Sequence, residues 1–172
     1  MHKVLMPVDA SEKRAVAQTD AAKELPAAAE EVRVHLLYVF DDRESAENTA
    51  VTQTTGGAVA HERLRDAGIA VEPMGRHGAP AEEIIRAAGE IDADRILLGG
   101  RKRSPLGSLL FGSVTQEVML DTTRPVVVTG GAETTEKPSH RCSSCGEEYF
   151  TSPSTEIDTC RNCGGAKVEA VE

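Results

Sequence analysis

The sequence predicts an α/β protein: an open, doubly wound, parallel five-stranded sheet with helices on both faces, followed by a small cysteine-bound module. Five short apolar runs alternate with segments of helical character, the order expected of repeated βαβ units. The runs are apolar almost throughout and do not alternate with polar residues, as expected of strands covered on both faces. The module is predicted by the cysteines, all four of which fall between positions 142 and 163.

The first strand is the run Val4-Leu5-Met6-Pro7-Val8. Residues 12–25 follow as an Ala-rich helix with scattered charges, which Pro26 should end. The second strand, from Val32 to Phe40, is dense in β-branched and aromatic residues. Residues 41–54 read as a polar connection, and the helix after it runs to about Asp66, with Gly68 ending it. Ile69 to Met74 is a third, weaker strand. Ala81, Ile84, Ile85, Ala88 and Ile91 share one helical face at spacings of three and four. Ile96-Leu97-Leu98 is the fourth strand and closes on Gly99-Gly100; a loop spans 101–111. Ser113 to about Leu120 is the last helix, and Val126-Val127-Val128 the fifth strand. No internal repeat at a solenoid period is present.

Residues 130–140, GGAETTEKPSH, have no apolar periodicity and read as a linker. The expected organisation is a first domain over 1–131, a linker over 132–138 and a cysteine module over 139–172. The chain of 172 residues is 40% hydrophobic and 27% charged, a soluble globular balance. Its aromatic residues are Tyr38, Tyr149, Phe40, Phe111 and Phe150, too few for a platform that stacks single-stranded nucleic acid. Net charge is −9; residues 1–131 hold 15 Lys and Arg against 20 Asp and Glu, and residues 132–172 hold 4 against 8. Nucleic acid is therefore not an expected partner. The acidic excess serves solubility; with 4 Lys against 11 Arg in residues 1–131, a salt-adapted cytoplasm is the sharper reading. No apolar run approaches the roughly 20 residues of a membrane helix, and MHKVLMPVDAS lacks an apolar signal region. The expectation is a cytoplasmic protein without a membrane partner.

In open α/β sheets, ligands bind beyond the carboxyl ends of the strands at a topological switch point. Two segments end there: Pro7-Val8-Asp9, and LGGRKRSPLGSLLFGS over residues 98–113. In the second, Gly112-Ser113 opens a helix whose first N–H groups and positive dipole end suit an anion, and Arg101, Lys102 and Arg103 add positive charge. A GxxxxGK[ST] loop and a GxGxxG fingerprint are both absent.

Residues 1–130, from KVLMPVDAS to RPVVVT, resemble the universal stress protein family. Nucleotide-binding members carry G-x2-G-x9-G-[ST]. Here Gly99 takes the first position, residues 103–111 fill the long gap, Gly112-Ser113 close it, and Lys102 stands where the second glycine belongs. The resemblance implies the layering of flavodoxin-like and adenine-nucleotide hydrolase-like folds. It implies ATP or AMP as ligand. By its own place after a strand, Asp9 reads either as an acid that orients Mg2+ or a water, or as an ordinary turn residue. Pro7, Val8 and Asp9 would lie by the base and ribose, and Val39 would meet adenine through its backbone. Gly99 and Arg101 would border the phosphates, with Gly112, Ser113 and Val114 supplying backbone and hydroxyl contacts. It further implies a homodimer joined along the last strand, Val126–Thr129. Lys102 either adds a charge-assisted phosphate contact or fills the pocket of a scaffold that has lost nucleotide. A slow ATP hydrolase is the other alternative. Enzymatic function is the minority reading, because no Ser/His/Asp or Cys/His arrangement is suggested by spacing and PVDASEK lacks the paired glycines of an ATP-pyrophosphatase loop. His35 and His61 read as packing or surface residues, and His77 as a weak site candidate.

Cys142-x2-Cys145 and Cys160-x2-Cys163, with 14 residues between them, present four thiolates in metal-ligand spacing. Gly146 and Gly164 follow each pair, where a knuckle turn favours glycine. So short a segment buries too little to fold alone, so a metal is expected in preference to two disulfides. The module resembles a zinc ribbon, and its CxxCG-x2-Tyr start also resembles iron-holding rubredoxin-like domains. Zinc is the expected metal and iron the alternative. A closed four-thiolate site is structural, and a protein partner is the expected use of the module.

Overall fold

The computed structural model describes residues 1–25, 32–100, 111–129, 138–149 and 156–171. The chain divides into two compact units, Met1–Ala132 and Glu133–Glu172. Pro26, the residues of the 101–111 loop up to 110, and residues 132–137 of the expected linker lie outside the described residues.

In the first unit β1 (His2–Val8), β2 (Val32–Phe40), β3 (Ala70–His77), β4 (Arg95–Gly99) and β5 (Val126–Thr129) form one sheet in the order β3-β2-β1-β4-β5. Every pairing in it is parallel, from His2 opposite Val32 to Gly99 opposite Thr129. The sheet is the expected five-stranded one. Val4, Leu5 and Met6 are consecutive and wholly buried, as are Leu36 and Leu37. Because successive side chains point to opposite faces, this requires cover on both faces. On one face Leu5, Leu37, Ile96 and Leu98 pack with Ala81, Ile84 and Ala88 of α4 (Pro80–Glu90) and Val118 of α5 (Ser113–Asp121). On the other lie α1 (Glu12–Lys23) and α3 (Thr55–Asp66), whose Val16 and Leu64 are wholly buried.

Residues 41–54, expected as a polar connection, hold α2 (Arg43–Asn48) and a 3-10 turn at Val51–Gln53. Asp42 caps α2 by accepting from the Ser45 N–H and hydroxyl, each at 2.8 Å. No α2 residue is buried, so no apolar periodicity marks the helix in the sequence. The third strand is longer than the expected 69–74, because β3 pairs with β2 as far as Phe40 opposite His77. Past α3, Gly68 sits at φ +72, and the Ile69 N–H reaches back to the Leu64 carbonyl, closing the helix as its sequence predicts.

Gly56, in the first turn of α3, is a close-approach glycine. A Cβ there would stand 2.0 Å from the Asp9 carbonyl oxygen, so α3 can seat against the end of β1 only with glycine at this place.

The second unit is a three-stranded antiparallel sheet in the order β7-β6-β8, made by β6 (His140–Cys142), β7 (Glu148–Tyr149) and β8 (Val168–Ala170). Its buried cluster is Cys142, Tyr149 and Cys160, with Ile157 and Val168 packed against it.

Candidate functional site

The strand order runs outward from β1 through β2 to β3 and then resumes at β4 on the other side, which puts the switch point between β1 and β4. A cavity of about 370 Å³ opens at the carboxyl ends of these strands. Pro7, Val8 and Asp9 line it from the end of β1, Val39 from β2, Gly99 from β4, and Gly112, Ser113 and Val114 from the start of α5. Among the residues expected at a nucleotide, Arg101 lies outside the described residues, as do its neighbours Lys102 and Arg103.

Gly112 opens α5 in an extended conformation without a side-chain cap. The amides of the first turn have no intrahelical acceptor, so they and the helix dipole favour an anion at this wall.

Three side chains that the sequence did not single out also line the cavity: Arg14 and Gln18 of α1, and Tyr38 of β2. Gln18 is 1% exposed and donates through Nε2 to the Pro7 carbonyl at 2.7 Å and the Leu97 carbonyl at 3.0 Å, tying β1 to β4 at the switch point. Arg14 forks onto Asp9, with Nη2 at 2.6 Å and Nε at 2.9 Å from Oδ2, while Asp9 Oδ1 accepts the Ser11 N–H at 2.9 Å. A Cβ at Gly99 would come 3.0 Å from Gln18 Oε1 and 3.2 Å from Arg14 Cβ and Cδ. The absent side chain at Gly99 thus makes room for these α1 residues. The available signal is that Arg14 and Gln18 are four apart, on a helix whose other inward positions are mostly small or apolar. Burial, with Asp9 and Asp41 nearby, pushes the Tyr38 hydroxyl above its ordinary pKa.

The histidines stand elsewhere. His77 ends β3 and does not line the cavity, and His61 lies in a separate shallow hollow beside Arg65 and Gly68. His35 is buried on β2, its Nδ1 3.3 Å from Glu72 Oε2, and burial lowers its pKa.

In the second unit the sulfurs of Cys142, Cys145, Cys160 and Cys163 all lie within 4.8 Å of one another. Two of the separations are 3.7 Å (Cys142 to Cys163) and 3.6 Å (Cys145 to Cys160). Four sulfurs each about 2.3 Å from one tetrahedral ion would stand roughly 3.8 Å apart, so this donor set fits zinc. The two knuckles repeat one geometry. In each, the first cysteine accepts from the glycine N–H four residues on, at 2.8 Å for both Gly146 and Gly164. In each, its N–H also donates five residues on, to Glu147 at 2.9 Å and to Gly165 at 2.8 Å. Gly146 and Gly164 sit at φ +75 and +68, which L side chains adopt at a cost. The Tyr149 hydroxyl beside Cys160 draws that thiol's pKa down to about 6 and accepts the Arg161 N–H at 3.1 Å. The Arg161 guanidinium lies 4.5 Å over the Tyr149 ring.

A parallel sheet in this order, with a cavity at its switch point, is an open doubly wound α/β fold with its crevice where ligands bind in such sheets. The model of the universal stress protein family matches residues 1–130, and the chain belongs to that family. It is 28% identical over 152 residues to a universal stress protein of Methanocaldococcus jannaschii, covering 73% of this chain and 93% of that protein. The solved structure of that relative matches with a TM-score of 0.59 over 75% of this chain and 95% of its own. A universal stress protein of Mycolicibacterium smegmatis is 38% identical over 65 residues, 37% of this chain and 50% of that protein. The chain thus spans about half the length of the Mycolicibacterium relative. The structure of a universal stress protein from Archaeoglobus fulgidus in complex with dAMP shares the fold at 21% identity, with a TM-score of 0.53 over 74% of this chain and 97% of that one. Among the described residues, no helix is long and apolar enough to cross a membrane.

Proposed function

We propose that residues 1–131 form a domain that binds an adenine nucleotide, ATP or AMP, at the switch-point cavity and works as a stress-response switch. The observation that carries this reading is convergence. Pro7, Val8, Asp9, Val39, Gly99, Gly112, Ser113 and Val114 come from four separate stretches of sequence and line one cavity of about 370 Å³. The uncapped start of α5 supports a phosphate there. The dAMP complex of the Archaeoglobus fulgidus protein supports the ligand class.

Residues 139–172, beyond a linker at 132–138, are proposed to form a second domain that holds one zinc ion through Cys142, Cys145, Cys160 and Cys163, with iron as the alternative metal. The ion supplies structure and no open coordination position, and the module serves to dock a protein partner. The assembly is proposed as a cytoplasmic homodimer joined along β5. In its favour, β5 is an edge strand with Val127 36% exposed, and the neighbouring helix leaves Leu120 83% exposed.

Native mass spectrometry of the full chain, purified without added nucleotide and then titrated with ATP, tests the nucleotide, the zinc and the dimer together. The expected spectrum is a dimer with one zinc and one adenine nucleotide per chain. A zinc-loaded dimer that stays empty in excess ATP favours the scaffold alternative. Steady release of phosphate that needs Mg2+ favours the slow hydrolase. Gly112→Val, which puts a branched side chain at the start of α5, is expected to remove nucleotide affinity with the circular dichroism unchanged.

A further inference from the structure

Asp9 offers a divalent cation a poor seat. This carboxylate is the one that would orient Mg2+ at the end of β1, yet both of its oxygens are engaged. Oδ2 accepts Arg14 Nη2 at 2.6 Å and Nε at 2.9 Å; Oδ1 accepts the Ser11 N–H at 2.9 Å and Arg14 Nε at 3.2 Å. Mg2+ demands near-octahedral oxygen ligands at about 2.0–2.1 Å and gives up water reluctantly. Seated on Asp9, it would stand against a guanidinium that stays charged at every physiological pH. Asp41 also lines the cavity, but it follows β2, a strand further from β4 and Gly99.

Arg14 is well placed for the work a cation would do. Its stem lies against Gly99, which lacks the Cβ that would stand 3.2 Å from Arg14 Cβ and Cδ, and its head reaches Asp9. The side chain therefore spans the crevice from the end of β4 to the end of β1. It is the one cationic side chain lining the cavity among the described residues. Guanidinium carries five N–H donors in a planar fork matched to phosphate oxygens. The bonds to Asp9 use two of them, Nε–H and one Nη2–H.

We propose that Arg14 is a ligand-contacting, specificity-determining residue that takes the place of a divalent ion, so that this cavity binds an adenine mononucleotide through its phosphate without metal. This rests on the nucleotide reading above. The test is calorimetric titration of AMP into the full chain, once in excess EDTA with the zinc content checked afterwards, and once in excess Mg2+. The expected result is the same affinity in both. Arg14→Gln is expected to weaken AMP binding about tenfold or more, the loss of one charge-assisted bond. Arg14→Lys, which keeps the charge and loses the fork, is expected to weaken it less. Circular dichroism checks that each variant folds, and the wild-type comparison stands without any variant. Wild-type binding that requires Mg2+, or an Arg14→Gln chain that binds as tightly as wild type, overturns this inference and leaves the nucleotide reading in place. No AMP or ATP binding in either buffer overturns both.

Discussion

In the first unit Val4, Leu5, Met6, Leu36, Leu37 and Leu97 have no exposed surface, and helices cover the sheet on both sides. In the second unit the corresponding cluster is two cysteines and a tyrosine, with Ile157 and Val168 beside them. The first has enough apolar surface to hold its shape by burial. The second has a sheet of three short strands and two knuckles that repeat one hydrogen-bond pattern around four sulfurs. With the proposed zinc in place, one chain holds two ways of specifying a fold: many weak contacts in the first unit, and in the second a few ligand bonds whose geometry the backbone already fits.

The largest effect expected from this contrast falls on the second unit alone. Cys160→Ser, or removal of the metal by a strong chelator, should forfeit much of the about 10–16 kcal/mol that zinc supplies to small modules. Backbone NMR should then show residues 138–149 and 156–171 losing dispersion while residues 32–100 keep their shifts. A second unit that stays ordered without metal would erase the contrast. Next in size is Leu36→Ala, which empties a wholly buried position and should cost the first unit about 2–5 kcal/mol in urea denaturation. Metal content should stay at one ion per chain.

Gln18→Leu should cost about 1–3 kcal/mol by leaving the Pro7 and Leu97 carbonyls without their buried donor. A neutral result would mean that β1 and β4 need no polar tie at the switch point. The subtlest effect is in pH. Burial lowers the His35 pKa, with Glu72 opposing and Arg33 and Lys3 assisting. The unfolded chain therefore takes up a proton that the folded chain resists as the pH falls below about 6.5. The His35 contribution is intact above that pH and declines below it. Urea midpoints should fall between pH 7 and pH 5, and less so in His35→Leu; equal slopes in the two proteins would exclude His35 as the cause.

The sheet is legible in the sequence because its strands are covered twice. Val4-Leu5-Met6 and Leu36-Leu37 can be continuous apolar runs only where neither face meets water. Helix α2 is not legible that way, since it buries nothing. Its trace in the sequence is Asp42 followed three residues later by Ser45, a cap whose weight depends on the turn already being there. Around the cavity the glycines and the Pro7–Asp9 segment are readable because they sit where strands end. Arg14 and Gln18 are not, because a charged or amide residue in an Ala-rich helix looks like solvated surface until the helix is docked. The cysteine spacing carries its own meaning, because two CxxC turns are the pattern by which a chain brings four sulfurs to one point.

Gly56 links the cavity wall to something longer. Its missing Cβ lets α3 rest on the Asp9 carbonyl, with no room between them. Helix α3 has 12 residues and so is a rod about 18 Å long. An outward shift of the Asp9 backbone would press directly on the first turn of that rod, so the end of β1 is braced by a whole helix.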